Sequence, residues 1–191
     1  MRAVILIGFM GAGKSSVGRA MGELLGWAFE DLDERIELRE RRAVAEIFRD
    51  SGEAAFREAE HAALKELLEE LRSGPEKVVA LGGGAFVPPR NVVLIEAEGV
   101  PTVFLDASVE ELWRRCGEQA ERQGVERPLL SGYVEKFREL YEARRPHYLK
   151  ARHRQETGGK KVAAIAAEVI QAVGLGQGSE RSGGGRRRRK Q

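Results

Sequence analysis

The chain has one cysteine in 191 residues, Cys116. No internal disulfide framework can be built from it, nor any cysteine-rich zinc pattern. That scarcity fits a reducing compartment, and the expected location is the cytoplasm. Long apolar runs are missing too, and none approaches the roughly 20 residues that cross a bilayer as a helix. The opening segment MRAVILIGF carries one positive charge but leads into glycines rather than a small-residue cleavage site. It reads as a buried first strand, not as a secretory signal. Aspartate is the third shortage: Asp31, Asp33, Asp50 and Asp106 stand against 26 glutamates. Glutamate supplies nearly all the surface acid, so each aspartate invites its own explanation.

A strong overall charge is also absent. The formal net charge is +2, but residues 179–191 hold six Lys/Arg and one Glu, a local +5 that leaves −3 on residues 1–178. A mildly acidic body has no whole-surface attraction to nucleic acid. From residue 174 onward Gly, Ser, Gln and Arg dominate. Residues 174–191 are therefore predicted to be a disordered basic tail, and residues 1–173 one folded domain.

What the chain does have is an alternation of strand and helix signals. Residues 4–7 are continuously apolar, as suits a strand covered on both faces. From residue 16 the pattern turns helical, with Val17, Met21, Leu24 and Leu25 on one face and Gly26 as a stop. Residues 27–29 read as a short strand, and the acidic residues that follow open a helix over 34–40. A further helical turn or two is predicted over 44–48, and a long helix over 53–71. A second apolar strand, 78–81, runs into Gly82-Gly83-Gly84; a short helical segment, 92–95, follows Pro88-Pro89. A third clear strand covers 102–105, and a helix starts at 109–115. Residues 116–126 are polar with no apolar period, which predicts a mobile loop. Helices follow over 133–148 and 162–173. Between them RHRQETGG contains no apolar residue, so a strand there belongs only at a sheet edge. The alternation predicts an α/β fold, a parallel sheet with helices on both faces.

The stretch GFMGAGKSSVG, residues 8–18, sits between the first strand and the first helix. Gly8-x-x-x-x-Gly13-Lys14-Ser15 is the P-loop pattern. Glycines let the backbone turn and let bare amides close on an anion. Those amides, with the positive end of the next helix, cradle nucleotide phosphates. Gly11, Ala12, Gly13, Lys14, Ser15 and Ser16 are thus candidate ATP-binding residues. Lys14 is placed to reach the β- and γ-phosphates, and Ser15 to ligate Mg²⁺. The bland alternative is a glycine-rich turn with a chance Lys-Ser, but the strand–turn–helix context argues against it. A GTPase would show Asn-Lys-x-Asp and Asp-x-x-Gly, and a transporter ATPase Leu-Ser-Gly-Gly-Gln; none of the three occurs. A small-molecule kinase is the class that remains.

The acceptor side is less sharply written. Two of the four aspartates share the segment EDLD. Asp31 at a strand end could bind Mg²⁺, directly or through water, while Asp33 orients an acceptor hydroxyl for in-line attack. Alternatively both are capping acids of the next helix. Asp106, ending the apolar VFLD, is a rival magnesium partner that the sequence does not separate from Asp31. The three glycines of LGGG close an apolar strand, at the end of a parallel sheet where ligands bind. Arg57 lies four residues after Glu53 and three before Glu60, so plain ion pairing explains it as well as function does. Arg144-Arg145 carries no signal of its own.

Taken together, GFMGAGKSSVGR, EDLDERIE, IFRDSGEAAFREAE, LGGGAF, RPLL and YEARRPHY resemble the shikimate kinases in order and approximate spacing, from about residue 2 to residue 173. The resemblance implies a P-loop kinase fold, a five-stranded parallel sheet flanked by helices with a mobile lid. It implies transfer of the γ-phosphoryl group of ATP to the 3-hydroxyl of shikimate. By the same resemblance Asp31 is the magnesium-associated acid, which makes Asp106 structural, and Asp33 is the acid on the shikimate hydroxyls. Arg57 and Arg144 fall on the arginines that hold the carboxylate, and Gly83 and Gly84 on its backbone contacts. Arg115 falls on the arginine against adenine and Arg127 on the lid arginine. The family expectation is a monomer. The chain departs from the family pattern in a long lid, a polar last strand and the GGGRRRRK tail. Two other readings predict different partners: a related kinase for another small hydroxylated acid such as gluconate, and a nucleic-acid-associated ATP-binding module with residues 186–190 as its arm.

Overall fold

The computed structural model describes residues 3–122 and 132–175. Arg127, residues 123–126 of the expected lid and the tail beyond Leu175 lie outside the described residues. Five strands form one all-parallel sheet in the order β2-β3-β1-β4-β5. They are β1 (Ala3–Ile7), β2 (Ala28–Asp31), β3 (Lys77–Ala80), β4 (Thr102–Asp106) and β5 (His153–Glu156). All five residues of β1 and of β4 are buried, as suits the apolar run of β1 and the apolar centre of β4, Val103–Leu105. β2 and β5 are the two edge strands, and β5 pairs with β4 from Val103↔His153 to Asp106↔Glu156.

Among the described residues there are seven helices, six between strands and the last after β5: α1 (Lys14–Leu25), α2 (Leu32–Glu40), α3 (Val44–Leu71), α4 (Pro89–Ala97), α5 (Val109–Arg122), α6 (Gly132–Tyr148) and α7 (Val162–Ala172). α7 packs on α1, α3 on α2 and α4, and α5 on α6. The predicted face of α1 buries Val17 and Met21, but Leu24 is 60% exposed. No helix among the described residues is long and apolar enough to cross a membrane.

One local expectation is met and another is not. The two helices expected over 44–48 and 53–71 are both present: α3 is two helical segments that meet in a bend at Gly52, whose φ of 81° and ψ of 173° are non-helical. A residue without Cβ absorbs that bend and lets helix resume on the far side. The loop expected from residue 116 is instead helical to Arg122. Arg114 bridges Glu111 at 2.8 Å and also pairs with Glu118, so ion pairs one turn apart support a segment with little apolar surface.

Four aromatic residues tie α5 and α6 to the turn after β1. Phe137 meets Phe9 edge-on at 5.0 Å between ring centroids and Trp113 at 5.1 Å, and Tyr141 meets Phe9 at 5.5 Å. This cluster fixes α6, and the arginines it carries, against the P-loop.

Candidate active site

The P-loop leaves the carboxyl end of β1, the middle strand. Gly13 caps α1 in the left-handed region, φ 87° and ψ 18°, and its carbonyl accepts the first helical bond from Val17 N–H at 2.8 Å. Lys14 folds back across the loop and donates to the carbonyls of Gly8 at 3.0 Å and Phe9 at 3.2 Å. Burial lowers its pKa, an effect opposed by Asp33 and Asp31. An open cleft of about 710 Å³ begins here, lined by Gly11 to Val17 on one side and by Arg115, Gln119 and Lys161 on the other. Ser16 is on this wall.

Asp31, the last residue of β2, has two partners. Its Oδ2 accepts from the Ser15 hydroxyl at 2.6 Å, and its Oδ1 accepts from Asp33 N–H at 3.0 Å, capping α2. The capping and metal readings of Asp31 are therefore compatible. Two hard oxygen donors side by side at a P-loop fit Mg²⁺. Asp106 has different neighbours. It is 2% exposed and receives Tyr141 Oη at 3.2 Å, Arg145 at 3.0 Å and Arg154 at 2.9 Å. Its carboxylate is occupied in pinning α6 and β5 to the sheet.

Asp33 lies half-buried in the first turn of α2, with its carboxylate against Gly82. Burial raises its pKa, Asp31 raises it further, and Lys14 opposes both. Next to it are the two arginines. Arg57, on α3, donates to Glu60 at 2.9 and 3.1 Å and to Glu53 at 3.1 Å. The ion pairing expected from its spacing is present, yet Glu60 is only 1% exposed, so this is no ordinary surface pair. Burial raises the Glu60 pKa against the pull of Arg57. Arg144, on α6, sits 5.9 Å above the Phe9 ring and donates to Gly83 C=O at 3.3 Å. Gly84 lies directly against the Arg57 guanidinium. Asp33, Arg57, Arg144, Gly83 and Gly84, far apart in sequence, thus meet at the carboxyl ends of β2 and β3.

On the nucleotide side Arg115 is held in place. It donates to Glu111 at 2.8 Å, to Thr157 Oγ1 at 3.1 Å and to Thr157 C=O at 2.7 Å. Arg127 lies outside the described residues.

Three buried polar residues escaped the sequence reading as site components. Glu60 occupies the apolar stripe of α3 with Phe56, Ala63 and Leu64, and a carboxylate in such a stripe is a signal that could have been read. Asn91 is 1% exposed; its amide donates to Ala85 C=O at 2.9 Å while its oxygen meets His61 Nδ1 at 2.7 Å, bracing the glycine loop. Tyr148 is fully buried and donates to Gly83 C=O. Nothing local in the sequence marks either of the last two.

A model of the shikimate kinase family matches residues 10–174 of the chain. A shikimate kinase from Caulobacter vibrioides is 42% identical over 174 residues, which is 90% of this chain and 82% of that protein. Among solved structures, a shikimate kinase from Acinetobacter baumannii in complex with shikimate superposes with a TM-score of 0.78 at 32% identity, covering 91% of this chain and 93% of that one. A gluconokinase from Sinorhizobium meliloti reaches a TM-score of 0.56 at 24% identity, covering 90% and 91%, a likeness of fold alone. Matches of that extent run through every segment gathered at this site, and the chain belongs to the shikimate kinase family.

Proposed function

We propose that this chain transfers the γ-phosphoryl group of ATP to the 3-hydroxyl of shikimate, giving shikimate 3-phosphate and ADP. The convergence of Asp33, Arg57, Arg144 and the Gly83–Gly84 backbone beside Lys14 carries the proposal. Two guanidinium groups suit a carboxylate through paired charge-assisted hydrogen bonds. Asp33 then accepts from the ring hydroxyl and aims its oxygen at phosphorus. As that oxygen bonds to the γ-phosphorus, the bond to the β,γ-bridging oxygen breaks, ADP leaves, and the hydroxyl proton passes to Asp33. A carboxyl whose pKa burial has raised is the better acceptor for that proton.

The nucleotide lies along the P-loop, with Gly11 to Ser16 around its phosphates and Arg115 as a fixed plane for adenine. Lys14 leaves the carbonyls of Gly8 and Phe9 to stabilise the charge on the transferring group. Ser15 and Asp31 would hold Mg²⁺, which supplies charge neutralisation to the β- and γ-oxygens. The resemblance gives Arg127 the transferring phosphate as its partner. The monomer and the cytoplasmic setting that the resemblance and the composition lead one to expect are kept as part of the proposal.

The test is ADP release from Mg²⁺-ATP with shikimate, with gluconate and without an acceptor. A rise with shikimate alone is the expected result. A rise with gluconate alone, or none with either acid, overturns the proposal.

A further inference from the structure

The Gly83 carbonyl accepts two side-chain donors from α6: the Tyr148 hydroxyl and Arg144 Nη1, the latter at 3.3 Å. An arginine that binds a substrate carboxylate must first release whatever it holds. If Arg144 alone paired with that carbonyl, its departure would leave a half-buried acceptor without its protein partner, which costs part of the bond gained. Tyr148 removes that cost, because it keeps the carbonyl paired when Arg144 turns away. It has a second effect through peptide geometry. The Gly83 C=O and the Gly84 N–H belong to one planar unit and point in opposite directions. Anchoring the first therefore fixes the second, in a glycine segment with no side chains to anchor itself.

We propose that Tyr148 is a positioning residue for the acceptor: its hydroxyl holds the Gly83–Gly84 peptide and frees Arg144 to change partners. The inference rests on the function proposed above. Burial pushes the Tyr148 hydroxyl up to about 12, with Arg144 pulling the other way. It stays a neutral donor at any working pH, so its contribution is pH-independent. Tyr141 provides an internal comparison. It lies on the same helix, but its hydroxyl donates to Asp106 at 3.2 Å and Ala107 C=O at 3.1 Å, away from the glycine segment.

The experiment compares wild type, Tyr148→Phe and Tyr141→Phe by steady-state kinetics in each substrate from pH 6.5 to 9, alongside thermal melting. Tyr148→Phe removes one oxygen and keeps the ring that packs 5.4 Å from Phe104. It is expected to raise the shikimate KM about fivefold to tenfold, the loss of one partly buried hydrogen bond. The ATP KM should stay within about twofold, with the same ratio at every pH. Tyr141→Phe should leave the shikimate KM unchanged. An unchanged shikimate KM in Tyr148→Phe, or equal rises in both KM values, would overturn the inference while leaving the kinase activity intact. Should Tyr148→Phe fail to melt cooperatively, Tyr148→Met puts the same question with a more adaptable side chain. A wild type inactive on shikimate sinks the proposed function instead.

Discussion

The Ser15 hydroxyl and the Asp31 carboxylate are joined by a 2.6 Å hydrogen bond that links the P-loop to the end of β2, and Asp31 caps α2 through its other oxygen. The two jobs can be separated by substitution. Asp31→Asn keeps an acceptor for the cap and removes the charge. It should melt close to wild type yet need about tenfold more Mg²⁺ for half-maximal rate, the usual scale for a lost metal partner. Asp31→Ala loses the cap as well and should cost about 1 kcal/mol more. A magnesium titration with thermal melts checks both, and an unshifted titration in Asp31→Asn would remove the metal role.

Asp33 offers a test in pH. Its folded pKa lies above the unfolded value because burial, and then Asp31, disfavour its charge. Such a carboxyl stabilises the fold most below its unfolded pKa, and that stability is lost as pH rises through the folded one. Asp33→Asn should therefore lose most turnover and yet melt higher than wild type near neutral pH. The gain should shrink to nothing as pH falls below about 4, where Asp33 is neutral in the folded and the unfolded chain alike. Melting curves across that range decide; a lower melting point at neutral pH would contradict the buried-charge account.

The glycines after β3 are not equivalent. A Cβ at Gly84 would fall 2.5 Å from Arg57 Nη1 and 2.8 Å from Nη2, whereas a Cβ at Gly83 meets nothing closer than 3.7 Å. Arg57 is tied to Glu60, so it cannot yield without breaking that pair. Gly84→Ala should raise the shikimate KM about tenfold or more, in keeping with a displaced charge-assisted bond. Gly83→Ala should stay within about twofold. Equal effects at both positions would count against Arg57 as the carboxylate partner.

Asp106, the rival for magnesium, should behave as a structural acid. Asp106→Asn leaves Arg145 and Arg154 without their shared counter-charge, though both are partly exposed and water relieves some of the cost. A loss of about 1–3 kcal/mol is expected, with the magnesium titration unchanged. Denaturant unfolding and the same titration check the two halves, and a shifted magnesium requirement would revive Asp106 as a metal partner.

How much of this was legible depended on whether the cause was local. β1, β3 and β4 announced themselves as apolar runs, and the P-loop as a spacing set by its own backbone. The choice between Asp31 and Asp106 was not local; it turned on which one lies beside Ser15, a contact between β2 and α1. β5 was hard to read because pairing along β4, not side-chain burial, makes it a strand. Residues 116–122 looked like a loop because their helix rests on ion pairs rather than an apolar face. Glu60 and Arg57 were visible as a pair, but not the burial that gives the pair its weight. Tyr148 could not be read at all, since its partner stands 65 positions away.

The sheet order has a bearing on how the chain is made. β1 comes first along the chain among the five strands of the sheet and becomes the middle one, pairing with Lys77–Ala80 on one side and Thr102–Phe104 on the other. Until those partners leave the ribosome, five apolar residues have no ladder to join, and the P-loop has no sheet to rest on. Nucleotide affinity must therefore arrive late in synthesis, once β4 has emerged, and the interval before it is when the nascent chain is most open to misassociation.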